Sequence, residues 1–316
     1  MPRRLQIDCN ADQSAAKRPT RRSAPLRRCA LWQAPGMQLR PRYGTDPVIT
    51  LDGRPSDILA PVVRQRRRLN RTLTSFDEQQ WAYPSRCAGW SNRDVIVHLD
   101  STNTFWNFSI AAGLRGEPTQ FLATFDPVAS PAQMVAGSNL TTTAEVLDRF
   151  TTSTDALLSA MEELDADGWE TLAEAPPGHI SISALAHHAL WDSWVHERDI
   201  LLPLGMHPNI EDDEVVACLR YASALGPAFA ITNGTASVGT LAISVAHPMC
   251  DVVVDIDRRA AVREGTTDGA FALTGDAVQL VEALSIRAPL AQTVPPESRW
   301  MVSGLAEVFE SEPLTS

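Results

Sequence analysis

The sequence predicts an α+β protein in which an antiparallel four-helix bundle is followed by a small α/β domain. Three observations support this prediction. Residues 55–205 carry apolar side chains at helical spacing, the chain beyond them contains short apolar runs that partly alternate, and hydrophobic and charged residues make up 44% and 21% of the 316 residues, as in ordinary globular proteins. The length suggests two domains, which we place at residues 51–208 and 209–316.

The first two predicted helices carry clear apolar stripes. In the first helix the stripe consists of Ile58, Val62, Leu69 and Leu73. Ser91 opens the second helix as an N-cap, and Asp94 suits the positive end of that helix. Gly113 is expected to end it. Its buried stripe should comprise Val95, Leu99, Thr102, Trp106 and Ile110.

The third and fourth predicted helices are separated by the breaker "APPGH". The third helix has a stripe made of Leu147, Phe150, Leu157, Met161 and Leu164. The fourth begins near Ser181 or Ser183, ends before Pro203 and Gly205, and buries Leu185, Ala189 and Ile200. Four helices of about 15 to 25 residues, joined by loops, favour an antiparallel bundle.

The character of the sequence changes after Gly205. The segment "EDDEVVACLRYASALGPAFA" predicts a helix, whereas "ASVGTLAISVAH" and "MCDVVVDID" are β-rich and "GAFALTG" predicts a short strand. The segment "DAVQLVEALSIR" predicts a closing helix capped by Asp276. These segments together predict the small α/β domain.

Charge is distributed unevenly along the chain. Residues 1–43 contain ten Lys or Arg and two Asp, whereas the rest contains 17 basic and 36 acidic residues. An acidic body repels phosphates, so we expect no nucleic-acid partner. The N-terminal composition, rich in Arg, Pro, Ser and Gln without an apolar period, predicts a disordered basic arm over residues 1–50. Because Met37 follows closely, this arm could also reflect a mis-called gene start.

Cysteine usage and hydropathy predict the compartment. The five cysteines are widely spaced without a C-x-x-C pair, which favours a reducing cytosol over a disulfide framework. We find neither a signal-peptide pattern nor a run of about 18 apolar residues, so we expect a cytoplasmic protein without a membrane span. The sequence leaves both a monomer and a homodimer open.

The candidate site is a set of metal-ligating residues. The segment "HHALWDSWVHERD" places His188, Asp192 and His196 four residues apart, on one helix face. Asp192 and His196 could reach one point, and His98 from the second helix could complete a three-ligand set. Two imidazoles and a carboxylate suit Zn²⁺ with open positions, and also suit Fe²⁺ or Ni²⁺. His188 is a rival ligand, and a purely structural Asp–His hydrogen bond is the alternative.

Two segments carry a resemblance to a known family. The segment "DEQQWAYPSRCAGWSNRDVIVHLD" and the later "WDSWVHERDILLPLG" resemble the mycothiol-dependent maleylpyruvate isomerase family, within the DinB-like metal-binding superfamily. This resemblance covers about residues 55–210 and implies a DinB-like metal-binding domain. The segment "LTGDAVQLVEALSIRAPL" resembles the family's C-terminal domain, which is similar to sterol carrier proteins. The resemblance therefore implies a sterol-carrier-like second domain.

The resemblance also implies which residues bind the metal. The family's ligands fall on His98, Asp192 and His196, although the commonest carboxylate in the family is glutamate. Asp199, three residues beyond His196, could orient that imidazole as an outer-shell acceptor, and we assign His188 to the same outer shell.

These residues predict a metal-dependent enzyme. The resemblance implies that a low-molecular-weight thiol, mycothiol, serves in isomerisation of, or sulfur transfer to, a small electrophilic substrate. The metal-bound thiolate would be the catalytic group, because a bound cation stabilises a thiolate more than a thiol. Arg258, Arg259 and Arg287 are candidates for binding an acidic substrate. The alternative is a non-catalytic small-molecule or lipid-binding protein in which the His/Asp/His set is structural.

Overall fold

A computed structural model describes residues 39–309. It contains both helices and β-sheets, which confirms the α+β class. Its helices are α1 (Leu59–Thr74), α2 (Glu78–Ala82), α3 (Asn92–Leu114), α4 (Ala129–Ala136), α5 (Thr143–Glu162), α6 (Ala166–Glu170), α7 (Ile182–Leu201), α8 (Asp212–Asn233), α9 (Ala277–Leu284) and α10 (Trp300–Val308). Its strands are β1 (Ile49–Leu51), β2 (Leu172–Ala175), β3 (Gly178–Ser181), β4 (Gly239–Ala246), β5 (Met249–Ile256), β6 (Ala260–Glu264) and β7 (Phe271–Gly275).

The four longest helices before residue 205 are the four predicted from the sequence, namely α1, α3, α5 and α7. Helix α1 packs against α5 and α7, and α3 packs against the same two helices. The N-caps of the last three are Ser91, Thr142 and Ser181, whose side chains each accept a backbone N–H from the first turn. The predicted stripes are mostly buried, with Thr102, Leu147 and Leu164 at their edges.

Gly113 does not end the second long helix, contrary to the prediction. Helix α3 continues to Leu114, and a Cβ at Gly113 would lie 2.2 Å from the carbonyl oxygen of Leu172. The glycine therefore lets the β2 backbone lie directly against the helix. Strands β2 and β3 form an antiparallel hairpin that the apolar pattern did not predict.

Strands β4 to β7, all of which follow residue 205, form a five-stranded sheet together with β1. The order of the strands is β1-β6-β5-β4-β7. Strands β4, β5 and β6 are antiparallel neighbours, whereas β1 and β7 join the two edges in parallel. The apolar pattern predicted β4, β5 and β7 but neither β1 nor β6. Helix α8 packs against β5 and β6 on one side and against α7, α9 and α10 elsewhere.

Helix α8 is long and apolar enough, by length and composition alone, to cross a membrane. In this structure 78% of its most apolar window is buried inside the protein. A buried helix that is apolar on all sides is also typical of a protein core. Its contacts with α7, α10 and the sheet account for its composition.

Residues 39–50, which we assigned to a disordered arm, are ordered instead. Leu39 and Val48 are buried, and Ile49 pairs with Ala260 in the sheet. The backbone of Arg42 also forms a bridge with Gly178 of the β2–β3 hairpin. The prediction of a disordered arm is therefore wrong for residues 39–50, and the rest of that prediction, for residues 1–38, lies outside the described part of the chain.

The two predicted domains are in close contact across a buried ion-pair network. Residues 39–309 belong to one compact unit. Arg68 on α1 contacts Glu197 on α7 and Glu214 on α8, each at 2.8 Å, and both carboxylates are buried. The main apolar core is likewise continuous from the helices to the sheet.

Within residues 39–309 the cysteines are free, whereas Cys9 and Cys29 lie outside these residues.

Candidate metal centre

The candidate centre lies where α3 passes α7. Ser91 and Asp94 form a capping box that fixes the start of α3, and His98 follows in the second turn. Asp192 and His196 project one turn apart from α7. One ligand-capable atom from each of His98, Asp192 and His196 lies within 4.8 Å of the others. The structure therefore brings together the three residues selected from the sequence.

The spacing of these atoms suits a shared ion better than a direct hydrogen bond. His196 Nε2 lies 3.5 Å from Asp192 Oδ1. This distance is longer than the usual N–H···O hydrogen bond of about 2.7–3.2 Å. Two ligand atoms bound to one tetrahedral Zn²⁺ at about 2.0–2.1 Å lie about 3.4 Å apart. Asp192 Oδ2 is buried and has no hydrogen-bond partner among the described residues. Several buried side-chain atoms within residues 39–309 lack a partner, and this oxygen is the one among them that belongs to the candidate ligand group, so it fits a metal ligand.

His98 is suited to act as a neutral ligand. Burial lowers its pKa to about 4, although the nearby Asp192 carboxylate acts in the opposite direction. Its ring packs between Trp90, at a centroid distance of 5.3 Å, and His196, at 5.2 Å. Neither ring nitrogen of His98 has a hydrogen-bond partner within residues 39–309. A neutral imidazole keeps one lone pair free for a metal.

Asp192 is held as a carboxylate by its surroundings. Burial acts to raise its pKa, but His196, His98, His188 and Arg66 together outweigh burial and lower it. Arg66 is completely buried and donates to Asn103 Oδ1 at 2.7 Å and to the Ala189 carbonyl at 2.9 Å. The arginine therefore compensates the carboxylate through space, without a hydrogen bond to it.

Asp199 orients the second imidazole. His196 Nδ1 lies 3.0 Å from Asp199 Oδ2, which suits an N–H donated to the carboxylate. That tautomer leaves Nε2 facing Asp192. Burial acts to lower the pKa of His196, but Cys87, Asp199 and Asp192 raise it to about 10. A metal on Nε2 would take the place of the proton that this anionic setting favours.

A second group of potential ligands shares His196, and it consists of Cys87, His196 and Asp199. Asp199 already accepts hydrogen bonds from Arg86 at 2.9 Å and from Arg287 at 3.0 Å. Like charges about 4 Å apart repel by about 4 kcal/mol per pair of unit charges at an effective dielectric constant of 20. A divalent cation here would face two guanidinium groups, so the first group is the better candidate for a metal, and the position of Asp199 suits an outer-shell acceptor.

The structure adds charged residues that the sequence did not indicate. Arg86 joins Asp199 to Glu282 on α9, and Arg198 donates to the same Glu282 at 2.6 Å. Cys87, in the loop before α3, lies 3.2 Å from Asp199 and 3.6 Å from the His196 ring. These contacts connect distant parts of the chain, so no local spacing could have revealed them.

Of the three candidate arginines, the structure brings only Arg287 to this site. It contacts Asp199 at 3.0 Å and the Cys87 sulfur at 3.7 Å. Arg258 and Arg259 are exposed in the turn between β5 and β6, where their backbone amides donate to Asp257.

His188 forms a neighbouring buried pair. Its Nδ1 lies 2.8 Å from the Tyr221 hydroxyl, so its hydrogen bond is with Tyr221 and not with a candidate ligand. Its ring packs edge-on against Trp106 at 4.8 Å, and burial lowers its pKa to about 4. The structure therefore does not bring His188 into the ligand set, and its influence on Asp192 is electrostatic.

Comparison with known proteins gives two kinds of match. Residues 62–201 match the family described as "Mycothiol maleylpyruvate isomerase N-terminal domain". Crystal structures of the mycothiol-dependent maleylpyruvate isomerase and of a histidine-to-alanine mutant each align with a TM-score of 0.53 at 15% identity, covering 74% of this chain and 90% of theirs. At that identity the alignment shows a shared fold. The curated protein sequences give no significant match.

Proposed function

We propose that this chain, whose residues 62–201 belong to the mycothiol maleylpyruvate isomerase N-terminal domain family, is a metal-dependent enzyme that uses a low-molecular-weight thiol. The thiol is proposed to be mycothiol, and the reaction is isomerisation of, or sulfur transfer to, a small electrophilic substrate. We further propose that α1, α3, α5 and α7 are a DinB-like antiparallel four-helix bundle and that residues 209–316 are sterol-carrier-like. The proposed partners are these small molecules, and the proposed location is the cytoplasm.

The observation that supports metal dependence best is the unpartnered oxygen of Asp192. Leaving a buried carboxylate oxygen without a donor is costly, more so than the roughly 1–3 kcal/mol for a neutral group. His98 and His196 present ring nitrogens to the same point, within 4.8 Å. Two histidines and one carboxylate are also the ligand set of catalytic zinc sites with an open position. Zn²⁺ is therefore the proposed ion, with Ni²⁺ or Fe²⁺ as alternatives.

The bound ion would lower the pKa of a coordinated thiol and so generate a thiolate nucleophile. In this proposal the protein supplies three ligands, and the remaining coordination positions of the ion are open to the thiol and the substrate. His98 is a neutral ligand, His196 would bind the ion through Nε2 in place of a proton, and Asp192 supplies the single negative charge. Asp199 keeps the proton of His196 on Nδ1, away from the site.

Elemental analysis of the native protein, followed by mycothiol-dependent isomerisation and conjugation assays, tests this proposal. We expect about one divalent metal per chain and activity that requires both metal and thiol. His98→Ala should lose metal and activity together. His187→Ala is the matched control, because His187 lies on α7 and contacts the Ser183 carbonyl instead of the ligand group. A native protein that contains lipid but no metal would instead support the binding-protein alternative.

A further inference from the structure

Helix α7 is held against α9 and the turn after it by three contacts on one face. Trp191 Nε1 donates to Ser285 Oγ at 2.8 Å, Arg198 donates to Glu282, and Asp199 accepts from Arg287. These α7 positions lie at i, i+7 and i+8, which is two turns of helix. The candidate ligands at positions 192 and 196 lie between them. The segment 282–287 therefore fixes the ligand helix on both sides of the ligands.

The turn that follows α9 has an unusual backbone. Ile286 has φ 54°, in the left-handed region that β-branched residues rarely adopt. Backbone hydrogen bonds from Ser285, Ile286 and Arg287 to the last turn of α9 maintain this conformation. Such conformations persist where the surrounding structure determines them, and they concentrate at functional sites. Here the consequence is that the next residue, Arg287, turns back toward α7.

Each guanidinium nitrogen of Arg287 has a partner on the protein. Nε donates to both carboxylate oxygens of Asp199 at 3.0 Å, Nη2 contacts Asp199 and Cys87, and Nη1 donates to the Ser285 carbonyl at 3.3 Å. The fork formed by Nε and Nη2 is occupied by the Asp199 carboxylate. The contacts of this arginine are therefore those of a residue that acts through Asp199 on the His196 ring.

We propose that the turn Ser285–Arg287 is a positioning element for the candidate ligand His196, acting through Arg287 and Asp199. The turn is anchored by Trp191, its arginine fixes the Asp199 carboxylate, and that carboxylate fixes the imidazole with Nε2 toward Asp192 and His98. This inference rests on the proposed function, because it assumes that these three residues bind a metal. It makes the metal affinity of the helical region depend on residues more than 80 positions further along the chain.

The test is a Zn²⁺ or Co²⁺ titration of the full-length apo protein and three variants. Outer-shell partners of a ligating histidine typically change metal affinity by about 10–100-fold, so Arg287→Gln should weaken binding at least tenfold. Ser285→Ala removes only the anchor, and we expect a smaller loss of about three- to tenfold. Ser303→Ala is the matched control, because Ser303 is a buried serine whose hydroxyl donates to Glu307 on α10. It should bind metal as the wild type does.

The Co²⁺ absorption spectrum separates positioning from general loss of structure. The Co²⁺ absorption spectrum should change in Arg287→Gln and return toward the wild-type spectrum in Arg287→Lys, which keeps the charge but not the fork of donors. If Arg287→Gln does not fold, Ser285→Ala supplies the affinity test. If Arg287→Gln and Ser285→Ala both bind metal within twofold of the wild type, this inference is overturned and the proposed function is not. A wild-type protein that binds no metal would overturn the proposed function and this inference together.

Discussion

The sharpest prediction concerns His98, the proposed ligand on α3, since the other two proposed ligands both lie on α7. Structural zinc sites with four ligands bind with about 10–16 kcal/mol, or about 3 kcal/mol per ligand, so loss of one imidazole should weaken binding by 100-fold or more. At a Zn²⁺ concentration 100 times the wild-type Kd, the metal stabilises the folded wild type by about 2.7 kcal/mol. A variant with a 100-fold higher Kd gains only about 0.4 kcal/mol under the same conditions.

The assay is thermal unfolding with and without the metal. For domains of about 150–250 residues, 1 kcal/mol corresponds to about 2–4 °C, so Zn²⁺ should raise the wild-type Tm by about 5–10 °C. The same addition should raise the Tm of His98→Ala by about 1 °C. Each protein is compared with its own metal-free form, because the substitution also removes the packing of His98 against Trp90.

The control is His187→Ala, whose ring contacts the Ser183 carbonyl and lies outside the ligand group. It should lose some stability but keep the full metal-dependent shift. An equal Tm increase in His98→Ala and the wild type would refute the assignment, because it would show that the ion binds without α3. In that case Cys87, His196 and Asp199 would be the remaining group to test.

Three other predictions follow from the structure. Asp199→Asn should weaken metal binding by about 10–100-fold in a metal titration, because the amide no longer accepts as strongly from the His196 ring. Arg68→Met should lower the free energy of unfolding by about 3–5 kcal/mol in urea, because two buried carboxylates lose their shared partner; a value below 1 kcal/mol would contradict a buried network. Gly113→Ala should cost about 1–3 kcal/mol in the same assay, because its Cβ would overlap the Leu172 carbonyl, whereas Gly44→Ala, with open space around it, should change stability by no more than about 0.5 kcal/mol.

Features set by local sequence could be predicted. The N-caps Ser91 and Ser181 fixed the starts of α3 and α7, and the spacing of four residues brought Asp192 and His196 to one helix face. The addition of His98 required only that two predicted helices be neighbours, and the structure places them so. The candidate ligands were therefore accessible from short-range patterns plus one long-range assumption.

Features set by long-range pairing could not be predicted. Strand β1 is three residues long and gains its conformation by pairing with β6, more than 200 residues later. The role of Gly113 depends on the approach of β2, which has no counterpart in the helical pattern around it. Contacts among Arg86, Asp199 and Glu282 likewise join three separate segments. The periodicity of apolar side chains along one segment does not indicate which distant segment will contact it.

The two aspartates on α7 show most directly what the structure adds to the sequence. In the pattern D-x-x-x-H-x-x-D either carboxylate could be the ligand and the other its support. Asp199 is fully engaged with two guanidinium groups and the His196 N–H, so an added cation there would meet two positive charges. Asp192 has no arginine hydrogen bond, has one buried oxygen without any described partner, and faces a neutral His98. Because a buried carboxylate oxygen requires a hydrogen-bond donor or a cation at contact distance, the unpartnered oxygen of Asp192 makes this residue the better candidate ligand and Asp199 the better candidate support.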